Sequence, residues 1–363
     1  MIGYLQSVIS GERRGFFSAV LRLKLLVLSW IYLGVVKLRR WLFSKGVLRV
    51  RNLPCKVISV GNVAAGGSGK TPAVIAIARM LREYDDLSVA VLSRGYRSGV
   101  RGSAVVSDGE NVLLKPLEAG DEPYLLGRSL PGVPVLIGAD RFHTGLMAVR
   151  RWNSQVVILD DGFQCLRLAR DADIVIVDAT RPFGLNHALP RGYLREPLSA
   201  LRNADLILLT RVDQCENLDS VRARLTDIAP SVPIFESTYE TRSLRSLDTQ
   251  QEMELDSIRG KKLLAVCGIA NPLSFIETLR TLNPADVDML SFPDHHAYPP
   301  RSIEAIRQKV VESGVDTIVT TEKDAQKLGA IVENPVLILE IELKLADSSA
   351  DDFAEIIREL CGL

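Results

Sequence analysis

The run Val57-Ile58-Ser59-Val60-Gly61-Asn62-Val63-Ala64-Ala65-Gly66-Gly67-Ser68-Gly69-Lys70-Thr71-Pro72 sets an apolar strand, a glycine-rich turn and a helix start in immediate succession. That is the layout of a phosphate cradle, and the alternative is a surface turn followed by an ordinary helix. Glycines let successive backbone N–H groups converge on a polyphosphate, and the helix adds its positive N-terminal end. Lys70 supplies a mobile cation and the Thr71 hydroxyl is a Mg²⁺ ligand of the usual kind. Gly66, Gly67, Ser68, Gly69, Lys70 and Thr71 are therefore expected to hold a nucleoside triphosphate. One departure from the G-x-x-x-x-G-K-[ST] pattern stands out: Ala64 occupies the place of the first glycine, and Gly61 lies three residues too early.

After this loop, apolar stretches of strand length alternate with helical ones: Val57–Val60, Val89–Ser93, Val135–Ile137, Val156–Leu159, Ile174–Val177 and Leu206–Thr210. Near-continuous Val, Ile and Leu mark strands of a parallel sheet covered on both faces. Ser103–Leu114, split at Asp108-Gly109, reads as a hairpin. A polar stretch, Glu236–Arg259, precedes a second strand–helix series from Leu263 to a last helix near Asp351. At 363 residues the chain exceeds what one core usually supports. The expected fold is α/β, a P-loop NTPase-like doubly wound, mostly parallel sheet with a second, smaller α/β domain. The expected division is 1–50, 51–240 and 241–363.

Zero formal net charge conceals an asymmetry, because residues 1–51 carry ten Lys or Arg and a single acid, Glu12. Nucleic acid is not the expected partner of this arm. Its cations are interleaved with Phe16, Phe17, Trp30, Ile31 and many Leu and Val residues, the composition of an amphipathic helix on an anionic membrane surface. The uninterrupted apolar run, Leu25–Val36, falls short of the ~20 residues that span a bilayer, so a monotopic anchor is expected. Arg13-Arg14 faintly resembles a twin-arginine export signal, but Arg22 and Lys24 interrupt the apolar part and no cleavage site follows. Five scattered cysteines without C-x-x-C spacing point to a reducing compartment.

The strand Val156–Leu159 runs into Asp160-Asp161, two carboxylates at the sheet edge where a doubly wound fold binds its ligand. Acids there help to hold Mg²⁺. Ile174–Val177 followed by Asp178 is a competing strand-plus-acid. Asp121, in Gly120-Asp121-Glu122-Pro123, reads either as a helix cap or as the base that receives an acceptor proton. His295 and His296 sit together in Phe292-Pro293-Asp294-His295-His296, for which a metal site is a minority reading. Arg94, Arg97, Arg101, Arg141, Arg191 and Arg195 lie in loops suited to phosphate recognition. Thr210-Arg211-Val212-Asp213 is similar to the [NT]-K-x-D guanine element, with Arg in place of Lys.

Taken in order, these segments resemble the tetraacyldisaccharide 4′-kinase family. The matching pieces are Val60-Gly61-Asn62 with Gly66–Pro72, Leu92–Tyr96, Gly120–Pro123, Asp160–Gln164, Leu189–Gly192 and Phe292–His296. The resemblance covers nearly the whole chain, and the missing first loop glycine is a feature of that family too. It implies ATP- and Mg²⁺-dependent transfer of the γ-phosphoryl group to the 4′-hydroxyl of tetraacyldisaccharide 1-phosphate, in lipid A biosynthesis, on the cytoplasmic face of the bacterial inner membrane. It assigns Asp121 as catalytic base, paired with a second-domain histidine mapped to His295 rather than His296. Lys70 and Thr71 then hold phosphates and Mg²⁺, Asp160 and Asp161 belong to the metal shell, and Arg141 and Gln164 lie close to the reacting groups. A monomer is expected, with a hinge in Glu236–Arg259 that lets the two units close. Two alternatives carry different predictions: a membrane-associated GTPase or metal-insertion chaperone using Thr210–Asp213, and a scaffold with a vestigial phosphate loop.

Overall fold

The computed structural model describes residues 7–85, 87–328, 335–346 and 349–362. The first six residues of the expected membrane segment lie outside the described residues. One 13-stranded sheet runs through the molecule in the order β11-β10-β12-β13-β8-β7-β6-β1-β5-β2-β4-β3, with β9 paired to β8. The first lobe contains β1 (Lys56–Gly61), β2 (Val89–Ser93), β3 (Ala104–Ser107), β4 (Val135–Ile137), β5 (Val156–Asp160), β6 (Ala172–Asp178) and β7 (Leu206–Thr210). The second contains β10 (Lys262–Cys267), β11 (Asp286–Ser291), β12 (Thr317–Thr321) and β13 (Val336–Leu345), with β8 (Ile234–Ser246) and β9 (Glu252–Met253) at the junction.

Alternation along the strands decides which helix covers which face. Ile58, Ile158, Ile174 and Leu208 point to one side and pack with the helix Lys70–Asp85. Val57, Val157, Leu159 and Leu92 point to the other, against the helix Arg141–Trp152. Strands buried on both faces have no polar alternation, which is why these segments read as continuous apolar runs. Central β1 pairs in parallel with both β5 and β6, so the loops leaving all three emerge at one edge. That is where an open α/β sheet builds its crevice.

Two stretches fold differently from their sequence reading. The Asp108-Gly109 turn forms, with Asp108 N bonded to Asn111 O at 3.2 Å, but the return arm is only a bridge between Ser107 and Val112. β3 finds its strand partner in β4 instead, in antiparallel pairing. The polar Glu236–Arg259 stretch is largely strand: β8 has 13 residues, pairs in parallel with β7 through Ile234–Ser237, then antiparallel with β13 as far as Ser246. Phe235, Ser237 and Tyr239 bury one face of it in strict alternation, a period-2 pattern hidden by the small polar Ser. Residue 240 thus lies inside the strand that joins the lobes. The helix Ala350–Cys361, within the expected second unit, crosses back and buries Phe353, Ile357 and Cys361 in the core of the first lobe.

The N-terminal helix is longer than the apolar run indicated, spanning Phe16–Ser44 because Arg22, Lys24, Lys37, Arg39 and Arg40 interrupt the grease without interrupting the helix. By length and composition it is sufficient to cross a membrane. One side docks on the body: the Ser29 hydroxyl donates to Ala188 O at 2.8 Å, the Tyr32 hydroxyl to Arg195 O at 2.9 Å, and Arg40 pairs with Glu196 at 2.7 Å. The other side leaves Phe17 83% and Trp30 62% exposed, so its apolar face is uncovered.

Candidate active site

The glycine-rich loop closes around Ser68, whose hydroxyl receives a 2.7 Å hydrogen bond from Asn62 Nδ2. Gly66 and Gly69 adopt φ of 125° and 85°, values that L side chains rarely tolerate. The helix then starts at Lys70, putting its free first-turn N–H groups and positive end at the loop. Long-range contacts hold the loop in place. Ala65 N donates to Tyr193 O at 2.7 Å and Arg195 N to Val63 O at 2.8 Å, so the segment 193–195 runs beside it like a partial strand. From β7, the Thr210 hydroxyl donates to Ser68 O and Arg211 to Gly67 O, each at 3.1 Å. Thr210 and Arg211, read as part of a guanine element, are here engaged with the loop carbonyls, and Arg211 also neutralises Asp178 at 2.6 Å.

The two acids after β5 face different environments. Asp160 is 2% exposed; it accepts a 2.8 Å hydrogen bond from Ser93 Oγ on Oδ2, while buried Oδ1 has no protein partner. Burial, with the negative charges of Glu122 and Asp161, pushes its carboxyl up to about 7. Burial pushes Asp161 upward too, but hydrogen bonds from Arg195 at 2.8 and 2.7 Å and the Lys70 charge outweigh it and hold the carboxyl well below the usual range. Lys70 Nζ lies 3.7 Å from Asp161 Oδ1. Adjacent carboxylates pushed in opposite directions are characteristic of sites where charge is managed. Asp161 is also held at φ 55°, a left-handed conformation. Such a conformation costs on the order of 1 kcal/mol and has to be held by its surroundings.

Arg141 lies behind these acids, buried, donating to Gly138 O at 2.9 Å and leaving Nε without a protein partner. Gln164 donates to Asn62 O at 2.9 Å, and its buried Oε1 has no protein partner. Among the other arginines, all three of Arg94, Arg97 and Arg101 are exposed, and of these Arg97 lines the cleft. Arg191 is turned away from it, donating to Ile9 O at 3.0 Å.

His295 and His296 separate cleanly. His295 Nδ1 lies 3.0 Å from Asp121 Oδ2, across the gap between the lobes. His296 stacks on Phe292 with centroids 4.6 Å apart and bonds Ser302 Oγ at 2.7 Å. His295 sits at φ 61°, held by its N–H on Gly268 O at 3.1 Å and by Arg97 donating to its carbonyl at 3.1 Å. Among the described residues no three His, Cys, Asp or Glu side chains gather as a metal site.

Two residues of this centre were absent from the sequence reading, Lys323 and Lys327. Lys327 Nζ donates to Asp121 Oδ2 at 2.8 Å, and Lys323 Nζ bonds Asp294 at 2.9 Å and lies 3.3 Å from His295 Nε2. The signal was available: they stand four apart, one helical turn, in a short helix starting where β12 ends.

A cleft of about 610 Å³ is lined by the loop from Ala65 to Pro72 on one side and by Ala270, Asp294, His295 and Lys323 on the other. A larger cavity, about 940 Å³, lies among Arg79, Arg128, Arg245 and Glu340, away from the glycine-rich turn. The smaller one is the cavity into which the glycine-rich loop and Lys70 open. A polyphosphate cradle facing an anchored carboxylate defines a P-loop phosphotransferase. The family model of tetraacyldisaccharide-1-P 4′-kinase matches residues 21–361. A tetraacyldisaccharide 4′-kinase of Syntrophus aciditrophicus is 43% identical, over 88% of both chains. Another, of Halothermothrix orenii, is 35% identical over 98% of this chain and 97% of its own. The crystal structure of LpxK from Aquifex aeolicus in complex with ATP matches with TM-score 0.73 and 32% identity, over 94% of this chain and 99% of that one. This chain belongs to the tetraacyldisaccharide 4′-kinase family.

Proposed function

We propose that this chain transfers the γ-phosphoryl group of ATP to the 4′-hydroxyl of tetraacyldisaccharide 1-phosphate, a step of lipid A biosynthesis. The observation that carries this reading is the Asp121–His295 contact at 3.0 Å, a base and its partner held from opposite lobes at the mouth of a phosphate-loop cleft. Residues Gly66 to Thr71 and the helix end bind the polyphosphate, and Lys70 follows the γ-phosphoryl group. Asp121 accepts the acceptor proton late, because a loose transition state asks for positioning and charge neutralisation more than early deprotonation. Arg141 and Gln164 each keep a buried polar atom without a protein partner, although neither side chain lines the cleft.

Orphaned Asp160 Oδ1 is likewise the acceptor expected beside a divalent cation. Thr71, Asp160 and Asp161 would hold Mg²⁺, which when bound would neutralise the charge of the transferring phosphoryl group. Guanine recognition is not favoured, since Thr210 and Arg211 are spent on the loop itself.

The uncovered apolar face of the helix Phe16–Ser44, flanked by cations, fits a monotopic anchor on the cytoplasmic face of the inner membrane, where a lipid acceptor is reached without leaving the bilayer. Both halves of the site come from one chain, so a monomer suffices. The three functional units are the N-terminal helix, a phosphate-loop lobe and an acceptor-side lobe, closing about Glu236–Arg259, whose strand β8 pairs with β13 in a ladder that shifts register between Glu340 and Ile341.

The test is label transfer from γ-³²P-ATP to purified tetraacyldisaccharide 1-phosphate in mixed micelles. Wild type should label the lipid, and Asp121→Ala should lower the rate by about 10²-fold or more. A folded, ATP-binding wild type that labels no lipid would overturn the proposal.

A further inference from the structure

Asp121 Oδ2 accepts two hydrogen bonds from the second lobe, one from His295 Nδ1 at 3.0 Å and one from Lys327 Nζ at 2.8 Å. Neither nucleotide binding nor acceptor deprotonation by Asp121 calls on Lys327 as a reacting group. Its side chain is only 7% exposed and its ammonium lies 6.0 Å from the Tyr298 ring centroid. Burying a lysine is costly unless a partner repays the lost hydration, and its ion-pair partner here is Asp121. The neighbouring charges are otherwise engaged. Lys323 pairs with Asp294 at 2.9 Å and Glu122 at 3.6 Å, and Arg97 is bound to the His295 carbonyl. Thus the groups that bear directly on Asp121 are His295 and Lys327, with Lys323, Glu122, Asp294 and Tyr298 one step further out.

Resting on the assignment of Asp121 as acceptor base, we infer that Lys327 is a positioning residue for phosphoryl transfer, clamping Asp121 by Oδ2 together with His295 so that Oδ1 is left for the acceptor hydroxyl. A carboxylate has two oxygens and rotates freely unless one is tied down. Two donors from different elements, a loop after β11 and the helix Glu322–Leu328, fix both its position and its plane. In the step itself the acceptor oxygen forms its bond to the γ-phosphorus while the bond to the β–γ bridging oxygen breaks, ADP departs with that electron pair, and the acceptor proton passes to Asp121 Oδ1. Lys327 neither gains nor loses a proton. Its charge has a second consequence. Burial pushes the Asp121 carboxyl up, but the hydrogen bonds from His295 and Lys327 and the Lys327 charge bring it down to about 2, so the carboxylate stays ionised in a half-enclosed place.

The experiment compares wild type, Lys327→Met, Lys327→Arg and Asp121→Asn as full-length proteins in mixed micelles, measuring kcat and the KM for ATP from pH 5 to 9, with thermal melts for each. Lys327→Met is expected to lower kcat about 10- to 100-fold with the ATP KM within about twofold. It should also move the acid limb of the profile to higher pH than in wild type, because Asp121 keeps its burial and loses its cation. Lys327→Arg should recover most of the rate and return the limb toward its wild-type position. A Lys327→Met protein with wild-type kcat, or a slow one whose profile keeps the wild-type shape, would overturn the inference. If Lys327→Met fails to fold, a Lys327→Arg protein that folds, turns over slowly and keeps the wild-type profile shape contradicts it equally. Asp121→Asn at the wild-type rate would instead sink the base assignment on which it rests.

Discussion

The phosphate-loop half of the site and the Asp121–His295 half are built by different means. Sixteen positions of continuous sequence, Val57–Pro72, make the first: a strand, glycines at positive φ and a helix start, with backbone N–H groups as donors. The second has no local logic. Asp121 begins a helix in one lobe, and its partners arrive from residues 295 and 327 in the other. A cradle made of backbone is specified by residue types that permit a conformation, whereas a clamp made of side chains depends on two lobes being held in register by β8 and β13.

That contrast can be broken or sharpened by mutation, beginning with the largest effect. Arg195 braces the backbone-built half, gripping Asp161 with both terminal guanidinium nitrogens and also hydrogen-bonding Asn62. Arg195→Ala should lower kcat/KM for ATP by about 10²-fold, and Arg195→Lys should recover little, since the two-pronged geometry is lost. Steady-state kinetics at saturating acceptor checks this. Next come the loop glycines: a Cβ on Gly69 meets the Tyr239 hydroxyl, whereas one on Gly66 meets nothing within 4 Å. Both substitutions carry backbone strain, so Gly69→Ala should weaken ATP binding about tenfold more than Gly66→Ala by calorimetry. Trp30→Glu should weaken binding to anionic vesicles about tenfold in a flotation assay and leave ATP binding unchanged.

The smallest effect falls at the seam between the halves. Glu322 begins the helix that carries Lys323 and Lys327, and burial beside Glu340 pushes its carboxyl up to about 7. The folded chain therefore keeps a proton there that the unfolded chain releases between about pH 4.5 and pH 7, so this group lowers stability as pH rises across that window. Glu322→Gln should raise the melting temperature by about 2 °C at pH 8 and change it little at pH 4.5, as calorimetric scans would register.

Legibility in the sequence follows the same division. The loop, the strand-end acids and most of the parallel strands are readable because each is a local pattern: glycines before Lys70, or apolar runs ending in Asp160-Asp161. The junction strand β8 is harder to see because Ser237 and Thr241 dilute its alternation, and its role depends on pairing with residues 337–345, a hundred positions away. The choice between His295 and His296, identical in type and adjacent in sequence, rests on which ring the left-handed backbone at His295 turns toward Asp121. The spacing of Lys327 from Lys323 is legible, but its role is not. An exposed helical lysine and a buried clamp look alike until the lobes are assembled.

The most direct test of this division is to measure ATP affinity and phosphoryl transfer to tetraacyldisaccharide 1-phosphate in parallel for Lys70→Ala and His295→Ala. Lys70→Ala should lose both. His295→Ala should keep ATP affinity within about threefold while transfer falls about 10²-fold. A His295→Ala protein that labels the lipid at the wild-type rate, or one that loses ATP binding along with transfer, would contradict the account.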